Sequence, residues 1–400
     1  MIIKPRIRGF LCTTAHPAGC ALEVDQQINY VKAQGRIENG PRRVLIIGAS
    51  GGYGLATRIT AAFGGGAETL GVFFERPAEG NRTASPGWYK SAAFTERARA
   101  EGLYAANFAG DAFSESSKQR VIEEIRSHMG QVDMVVYSLA AGARTLPDGS
   151  LVRSALKPVG EPFSGATIDL NSGEMREVSL EPASPEEVAD TVRVMGGEDW
   201  ELWIAALLKA GVLAPGCITT NYTYLGSEVT WPIYHHGTIG KAKEDLDRAA
   251  RALKAPLSEL GGAAYVCVMK GLMTQAASAI PGMSLYLSLL FKVMKEQGKH
   301  EDCIEQTTRL FTSRLFAGGD VLVDEAGRVR LDDWELTDRV QDYVRQHWHE
   351  VNGDNLDTLT DFSGYKQAFL SMHGFVDGVD EEADVIADVP MDVITVPEQR

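Results

Sequence analysis

No stretch of this 400-residue sequence approaches the ~18–20 consecutive apolar residues of a membrane span, so no membrane insertion is expected. Cysteine is scarce. Cys12, Cys20, Cys217, Cys267 and Cys303 are odd in number and contain no C-x-x-C pair, which disfavours a disulfide framework or a thiolate zinc site. Reduced thiols in a cytoplasmic protein are the expectation. Positive charge is in deficit, with 39 Lys and Arg against 54 Asp and Glu and a net charge of −15. That balance disfavours nucleic acid and anionic membrane surfaces as partners, while leaving room for a small anionic ligand held by a local patch. The N-terminus, Met1-Ile2-Ile3-Lys4-Pro5-Arg6-Ile7-Arg8, has no signal-peptide apolar core and reads as an edge strand. There is no H-E-x-x-H, G-x-S-x-G or Walker loop, no internal repeat and no low-complexity linker. His347-Trp348-His349 has too few partners for a metal site, and none is expected.

What is present is material for a large core, at 44% hydrophobic residues, and one organising stretch. Arg43-Val44-Leu45-Ile46-Ile47 is a continuous apolar run of the kind buried on both faces of a parallel sheet. It leads through Gly48-Ala49-Ser50-Gly51-Gly52-Tyr53-Gly54 into the helix-like Leu55–Phe63. Glycines at this spacing let backbone turn tightly and approach a pyrophosphate at a helix N-terminus. A dinucleotide-binding loop is the reading.

Strand and helix candidates alternate around it. Thr69–Phe74, Leu103–Phe108 and Val132–Leu139 read as strands, with helices in Ser85–Gly102 and Glu115–Met129. Cys217–Tyr224, the helix Ile239–Leu253 and the strand Ala263–Val268 resume the pattern. The fold class is therefore α/β, a Rossmann-like, doubly wound parallel sheet with N-terminal, insertion and C-terminal elaborations. Residues 1–42 form a short strand or hairpin, a His16–Gly19 turn and a helix near Leu22–Gln34. Residues 43–140 and 212–282 form the core. Residues 141–211 form an insertion near the active site, with a hairpin about Asn171-Ser172-Gly173. Residues 283–374 form a helical C-terminal region with a second hairpin, Val321–Val323 against Val329–Leu331. Residues 375–400 form an acidic tail that either wraps the surface or is partly mobile. Met283–Met294 is apolar nearly all round, as a buried helix is, and could also wall an acyl pocket.

Glu75 ends the second strand, 21 residues after Gly54. An acid there accepts hydrogen bonds from a ribose 2′-OH and repels a 2′-phosphate, which favours NADH over NADPH. Asp111-Ala112 follows the third strand at an adenine-contacting position, although Asp there is also a helix cap. Ser138-Leu139-Ala140-Ala141-Gly142 ends the fourth strand with small residues that let a ribose and nicotinamide approach the backbone.

A hydride-transfer enzyme must also stabilise an oxyanion. A tyrosine can donate to that oxygen, and a nearby ammonium lowers a phenol pKa otherwise near 10. Tyr234 is followed by two lysines, Lys241 and Lys243. At ~100° per residue, Lys243 falls within the apolar stripe Ile239, Ala242, Leu246, Ala249, Ala250 and Leu253, whereas Lys241 falls nearly opposite it. Tyr234 and Lys243 are the candidate pair, and Tyr234 must lie before the helix. His235 and His236 are set aside, because neighbouring residues point in different directions.

The eight residues between Tyr234 and Lys243, together with Met1–Arg6, Arg8-Gly9-Phe10, His16–Cys20, Gly52-Tyr53-Gly54, Phe74-Glu75, Gly237–Lys243 and Gln275–Pro281, resemble the FabV-type enoyl-acyl-carrier-protein reductases, which include trans-2-enoyl-CoA reductases. The resemblance runs from Met1 to about Gly374. Lys241 would satisfy the six-residue spacing of the related enoyl reductases. The resemblance implies NADH-dependent reduction of the C2=C3 bond of a trans-2-enoyl thioester, on acyl-carrier protein or CoA, with hydride to C3 and protonation at C2. It assigns enolate stabilisation to Tyr234, nicotinamide ribose contact to Lys243 and substrate binding to Tyr224. Gly48, Ala49, Ser50, Gly51, Gly52 and Tyr53 would hold the pyrophosphate. Phe74, Glu75, Asp111, Ala112, Leu139 and Ala140 would hold the rest, with Leu272, Met273 and Thr274 closing over the nicotinamide. Gly51 and Glu244 depart from the family pattern, which has a serine and a second lysine there. The elaborations covering the surface suggest a monomer. Two alternatives remain at this point, an NADH-dependent ketoacyl reductase and a non-catalytic NADH-binding regulator.

Overall fold

In strand β1 (Arg43–Ile47), Leu45 and Ile47 point into one core and Val44 and Ile46 into another, all four with no exposed surface. That double burial is why the run lacks polar alternation. The computed structural model describes residues 1–397; the last three residues of the expected acidic tail lie outside them. With β2 (Glu68–Phe73), β3 (Ala105–Ala109), β4 (Val132–Tyr137), β5 (Leu213–Thr223), β6 (Ala263–Val268) and β7 (Arg328–Arg330), β1 builds a seven-stranded sheet. The order is β7-β6-β5-β4-β1-β2-β3, and every pair is parallel. The winding reverses between β1 and β4, and the crevice above the carboxyl ends of strands at such a point is where α/β sheets bind ligands.

Helices α1 (Pro17–Ala33), α2 (Gly52–Ile59) and α3 (Pro86–Ala100) precede α4 (Glu115–Glu124), α5 (Pro185–Met195), α6 (Glu198–Ala210) and α7 (Thr238–Ser258). Then come α8 (Gln275–Ser278), α9 (Met283–Glu296), α10 (Cys303–Leu310), α11 (Asp338–His347), α12 (Leu356–Leu359) and α13 (Phe362–Ser371). One face of the sheet is covered by α4, α6 and α7, with Val121, Trp200, Trp203 and Leu246 in a common core. A separate cluster joins α1, α2, α3 and α10 through Val24, Leu55, Phe94 and Ile304. A third core surrounds α9, whose Leu285, Tyr286, Leu287, Leu289 and Leu290 have no exposed surface. The hairpin Phe163–Ile168 with Met175–Leu180 packs there, and the Ile168 N–H donates to Ser284 Oγ at 2.8 Å.

Three local readings change. His16–Gly19 is not a turn but the first turn of α1: Pro17 occupies its opening position and His16 Nδ1 accepts from the Gly19 N–H at 3.3 Å. Val321–Val323 forms no hairpin. Val329 is fully buried and carries β7 onto the edge of β6, whereas Leu322 is 79% exposed and has no face to bury. A hairpin that the residue pattern did not suggest pairs Ala143–Thr145 with Leu151–Arg153. The C-terminal segment does lie along the surface: Trp88 Nε1 and Tyr89 Oη donate to the carbonyls of Val389 and Ala387, and Ile394 pairs in parallel with Phe108 of β3.

Candidate active site

The glycine loop is shaped from inside and open outside. Gly48 has φ +91°, and a Cβ there would meet the Ser138 carbonyl oxygen at 2.0 Å; one on Gly54 would meet the Gly48 carbonyl oxygen at 1.9 Å. These two glycines allow α2 to start hard against β1 and β4. Gly51, in contrast, faces open space and caps α2 without any side-chain bond, so the first N–H groups of the helix are free for an anion. A pyrophosphate fits this cradle.

Ser50 Oγ donates to Glu75 Oε1 at 2.6 Å, fixing the carboxylate beside Gly87, where a Cβ would come within 2.2 Å of the same oxygen. Phe74 is 83% exposed, which leaves an uncovered aromatic face at the end of β2. Asp111 Oδ1 accepts from the Phe113 N–H at 2.9 Å in a turn that follows β3, but the residue is not the helix cap: Ser114 caps α4, its side chain accepting from the Ser117 N–H. The Ala112 carbonyl accepts from Trp203 Nε1 at 3.1 Å and from Lys118 Nζ at 3.3 Å. Lys118 is itself paired with buried Asp199 at 2.8 Å. Neither brace shows in the sequence, because Trp203 and Lys118 look like ordinary helix residues.

Tyr234, Lys243 and Tyr224 meet. They line one cavity of about 150 Å³ with Tyr53, Leu139, Ala140, Leu272 and Thr274. Tyr234 lies before α7, as the spacing requires, and its carbonyl accepts from the N–H groups of Gly237 and Gly240. A Cβ on Gly240 would meet the His235 carbonyl oxygen at 1.9 Å, so glycine there lets the tyrosine turn fold onto the helix. Lys243 Nζ donates to the Tyr222 carbonyl at 3.4 Å, while Lys241 is turned outward to Glu244 at 2.8 Å. The two lysines lie on the faces of α7 that the apolar stripe predicts. The rings of Tyr224 and Tyr234 stand edge to face, 5.0 Å apart. Met273 differs from its neighbours: it is buried in the α9 core and lines a separate cleft beside Gly52.

The electrostatics depart from expectation. Burial raises the Tyr234 phenol above its ordinary value, and no lowering by Lys243 offsets it. Burial also brings the Lys243 ammonium down to about 8. Tyr234 is thus a neutral donor rather than a phenolate, which is the form that can give a hydrogen bond to a developing oxyanion. Missed altogether by sequence reasoning is Glu335, fully buried behind Tyr224. It ends the acidic run Asp332-Asp333-Trp334-Glu335, which reads as solvated charge.

Family models described as the NAD(P)H binding domain of trans-2-enoyl-CoA reductase and the trans-2-enoyl-CoA reductase catalytic region match residues 2–80 and 82–316. The chain belongs to the trans-2-enoyl-CoA reductase family. The enoyl-[acyl-carrier-protein] reductase [NADH] of Serratia proteamaculans is 56% identical over 98% of this chain and 99% of its own length. The crystal structure of Treponema denticola trans-2-enoyl-CoA reductase in complex with NAD is 48% identical, with TM-score 0.93, over 98% of this chain and 100% of that one. The Clostridium acetobutulicum trans-2-enoyl-CoA reductase in complex with NADH is 42% identical, with TM-score 0.94, over 97% and 98%. In this trans-2-enoyl-CoA reductase family member, residues 323–385 match a model described as an enoyl reductase FAD binding domain. That segment does not fit a second dinucleotide. Its one strand is the three-residue β7, no glycine-rich strand-to-helix loop follows it, and Val340, Val344, Tyr365 and Phe369 are buried in the α9 core.

Proposed function

We propose that this chain reduces the C2=C3 double bond of trans-2-enoyl thioesters with NADH. The observation that carries the reading is the convergence of Tyr234 and Lys243 on one cavity with Leu139, Ala140 and Thr274, at the carboxyl ends of β4, β5 and β6. Gly48, Ala49, Ser50, Gly51, Gly52 and Tyr53 would hold the pyrophosphate and Glu75 the adenosine ribose. Phe74 and Asp111-Ala112 would hold the adenine, and Lys243 with Leu272 and Thr274 the nicotinamide half; Met273, turned into the α9 core, would not take part. Hydride delivery to C3 is the chemistry that NADH supplies when bound.

The chain's own residues manage the oxygen and the proton. Hydride addition to the β-carbon drives negative charge onto the thioester oxygen, and Tyr234, kept neutral by burial, donates its O–H there. Lys243, tied to the Tyr222 carbonyl, sets a positive charge in the same cavity, favouring the enolate over the neutral thioester. Protonation at C2 completes the saturated thioester. Tyr224 packs its ring on Tyr234 and borders the acyl end, which Ile280 and Met283 close with apolar surface.

For a carrier-bound substrate, Arg6 and Arg8 supply cationic contacts. Both are exposed and outside any ion pair among the described residues, at the N-terminal hairpin Ile7–Arg8 with Leu11–Cys12, whose Phe10 carbonyl accepts from Gln275 and Ser278 of α8. The working unit is one chain, acting in the cytoplasm. NADH oxidation with crotonyl-CoA and with an enoyl-carrier thioester tests the reading. Turnover of either supports it; turnover of β-ketoacyl thioesters alone, or NADH binding without turnover, overturns it.

A further inference from the structure

Behind Tyr224 lies a carboxyl group that the reaction as described does not use. Glu335 has no exposed surface. Its Oε1 accepts from the hydroxyl of Tyr224 at 2.7 Å and from that of Tyr286 on α9; its Oε2 accepts from the N–H of Gly271. Its own carbonyl accepts from Gln341 Nε2 of α11 at 2.8 Å, which fixes the residue from behind. The nearest cation does not pair with it. Lys270 Nζ donates instead to the carbonyls of Gly271 and Glu301, at 3.1 and 3.0 Å.

A buried carboxyl without a salt bridge is a costly way to fill space, since a Leu or Met of similar volume would avoid the desolvation. The arrangement makes sense through what the carboxyl holds. Tyr224 is the first residue beyond β5 and Gly271 the third beyond the neighbouring β6, so one side chain spans two walls of the cavity. Gly271 leads directly into Leu272–Thr274. Tyr224 in turn packs on Tyr234.

We propose that Glu335 is a positioning residue for the reduction: by accepting from Tyr224 and Gly271 together, it fixes the direction of the Tyr224 hydroxyl and the height of the segment entering Leu272–Thr274. This role rests on the enoyl reductase reading and deepens it. The Gly271 N–H is a donor that cannot turn round, so a glutamine at this place must meet it with its oxygen. The amide nitrogen then faces Tyr224 and Tyr286, and both phenols must reverse their bonds. Glu335→Gln therefore alters the hydroxyl of Tyr224 while conserving shape.

The test is a double-mutant cycle on the full chain with saturating NADH, using Glu335→Gln, Tyr224→Phe and the pair. Glu335→Gln is expected to lower kcat about tenfold or more, with the NADH Kd within about twofold of wild type. In the Tyr224→Phe background the same change is expected to cost less than about twofold, because the hydroxyl it acts through is gone. Where Tyr224→Phe has no measurable turnover, the cycle is read on the Kd of butyryl-CoA with NADH bound. An equal fold-loss in both backgrounds overturns the proposal. If Glu335→Gln does not fold, Glu335→Asp takes its place, and loss of the fold in both variants makes Glu335 structural and overturns the proposal too. Wild-type turnover with an additive cycle defeats only this inference, whereas no wild-type turnover of any enoyl thioester defeats the proposed function and this inference with it.

Discussion

Lys243 donates to the main-chain carbonyl of Tyr222 at 3.4 Å from the buried face of α7, and burial lowers its ammonium to about 8. The charge is therefore present below that value and lost as pH rises through it. The expected result is a fall in kcat/KM above about pH 8, read from a pH–rate profile over roughly pH 6–10. Lys243→Arg, whose guanidinium stays charged, is expected to be slower but to lose that limb. A limb unchanged in Lys243→Arg would assign it to another group.

Tyr234→Phe removes the donor and keeps the ring that packs on Tyr224. Loss of one oxyanion donor of this kind lowers kcat by about 10²–10³. Steady-state rates with NADH fluorescence titration check the split: kcat should fall while the NADH Kd stays within about twofold.

Glu75, held by Ser50 at 2.6 Å, is the residue proposed to hold the adenosine ribose. Glu75→Ala removes an acceptor for the 2′-OH and a repulsion against a 2′-phosphate. The ratio of kcat/KM for NADH over NADPH should drop about tenfold, a change of about 1.4 kcal/mol in discrimination. Comparing the two cofactors under one assay measures it.

The glycines of the loop should part company. Gly54→Ala places a Cβ 1.9 Å from the Gly48 carbonyl oxygen, backbone that cannot move away cheaply, and should destabilise by about 1–3 kcal/mol. Gly51→Ser meets nothing within 4 Å and has extended backbone, so its stability should stay within about 0.5 kcal/mol of wild type. Chemical denaturation of the two variants distinguishes them.

What could be seen in the chain beforehand follows physical lines. Strands buried on both faces, such as Val44–Ile47, and a helix with a one-sided apolar stripe announce themselves through pattern, and the stripe alone picks Lys243 over Lys241. Tertiary partners do not. Val321–Val323 has strand-like residues, but Val329 and Leu331 are the ones fully buried, while Leu322 and Val323 are exposed. Glu335 gains its role from Tyr224 and Gly271, which lie 111 and 64 positions away. No local signal could separate it from Asp332 and Asp333. The pKa of Tyr234 is misjudged for a related reason, since residue types suggest a charge partner but burial depth decides the direction.

The pairing of Ile394 with Phe108 has a consequence for how the molecule meets its neighbours. The Ile394 N–H donates to the Asn107 carbonyl at 2.7 Å, and its carbonyl accepts from the Ala109 N–H at 2.9 Å. These are backbone groups that the outer strand of a sheet otherwise leaves available to any passing extended chain. The opposite margin is only the three residues Arg328–Arg330. With one border pinned at its carboxyl end by a bridge to its own C-terminal segment and the other kept short, the sheet offers less template for edge-to-edge growth, a built-in guard against aggregation.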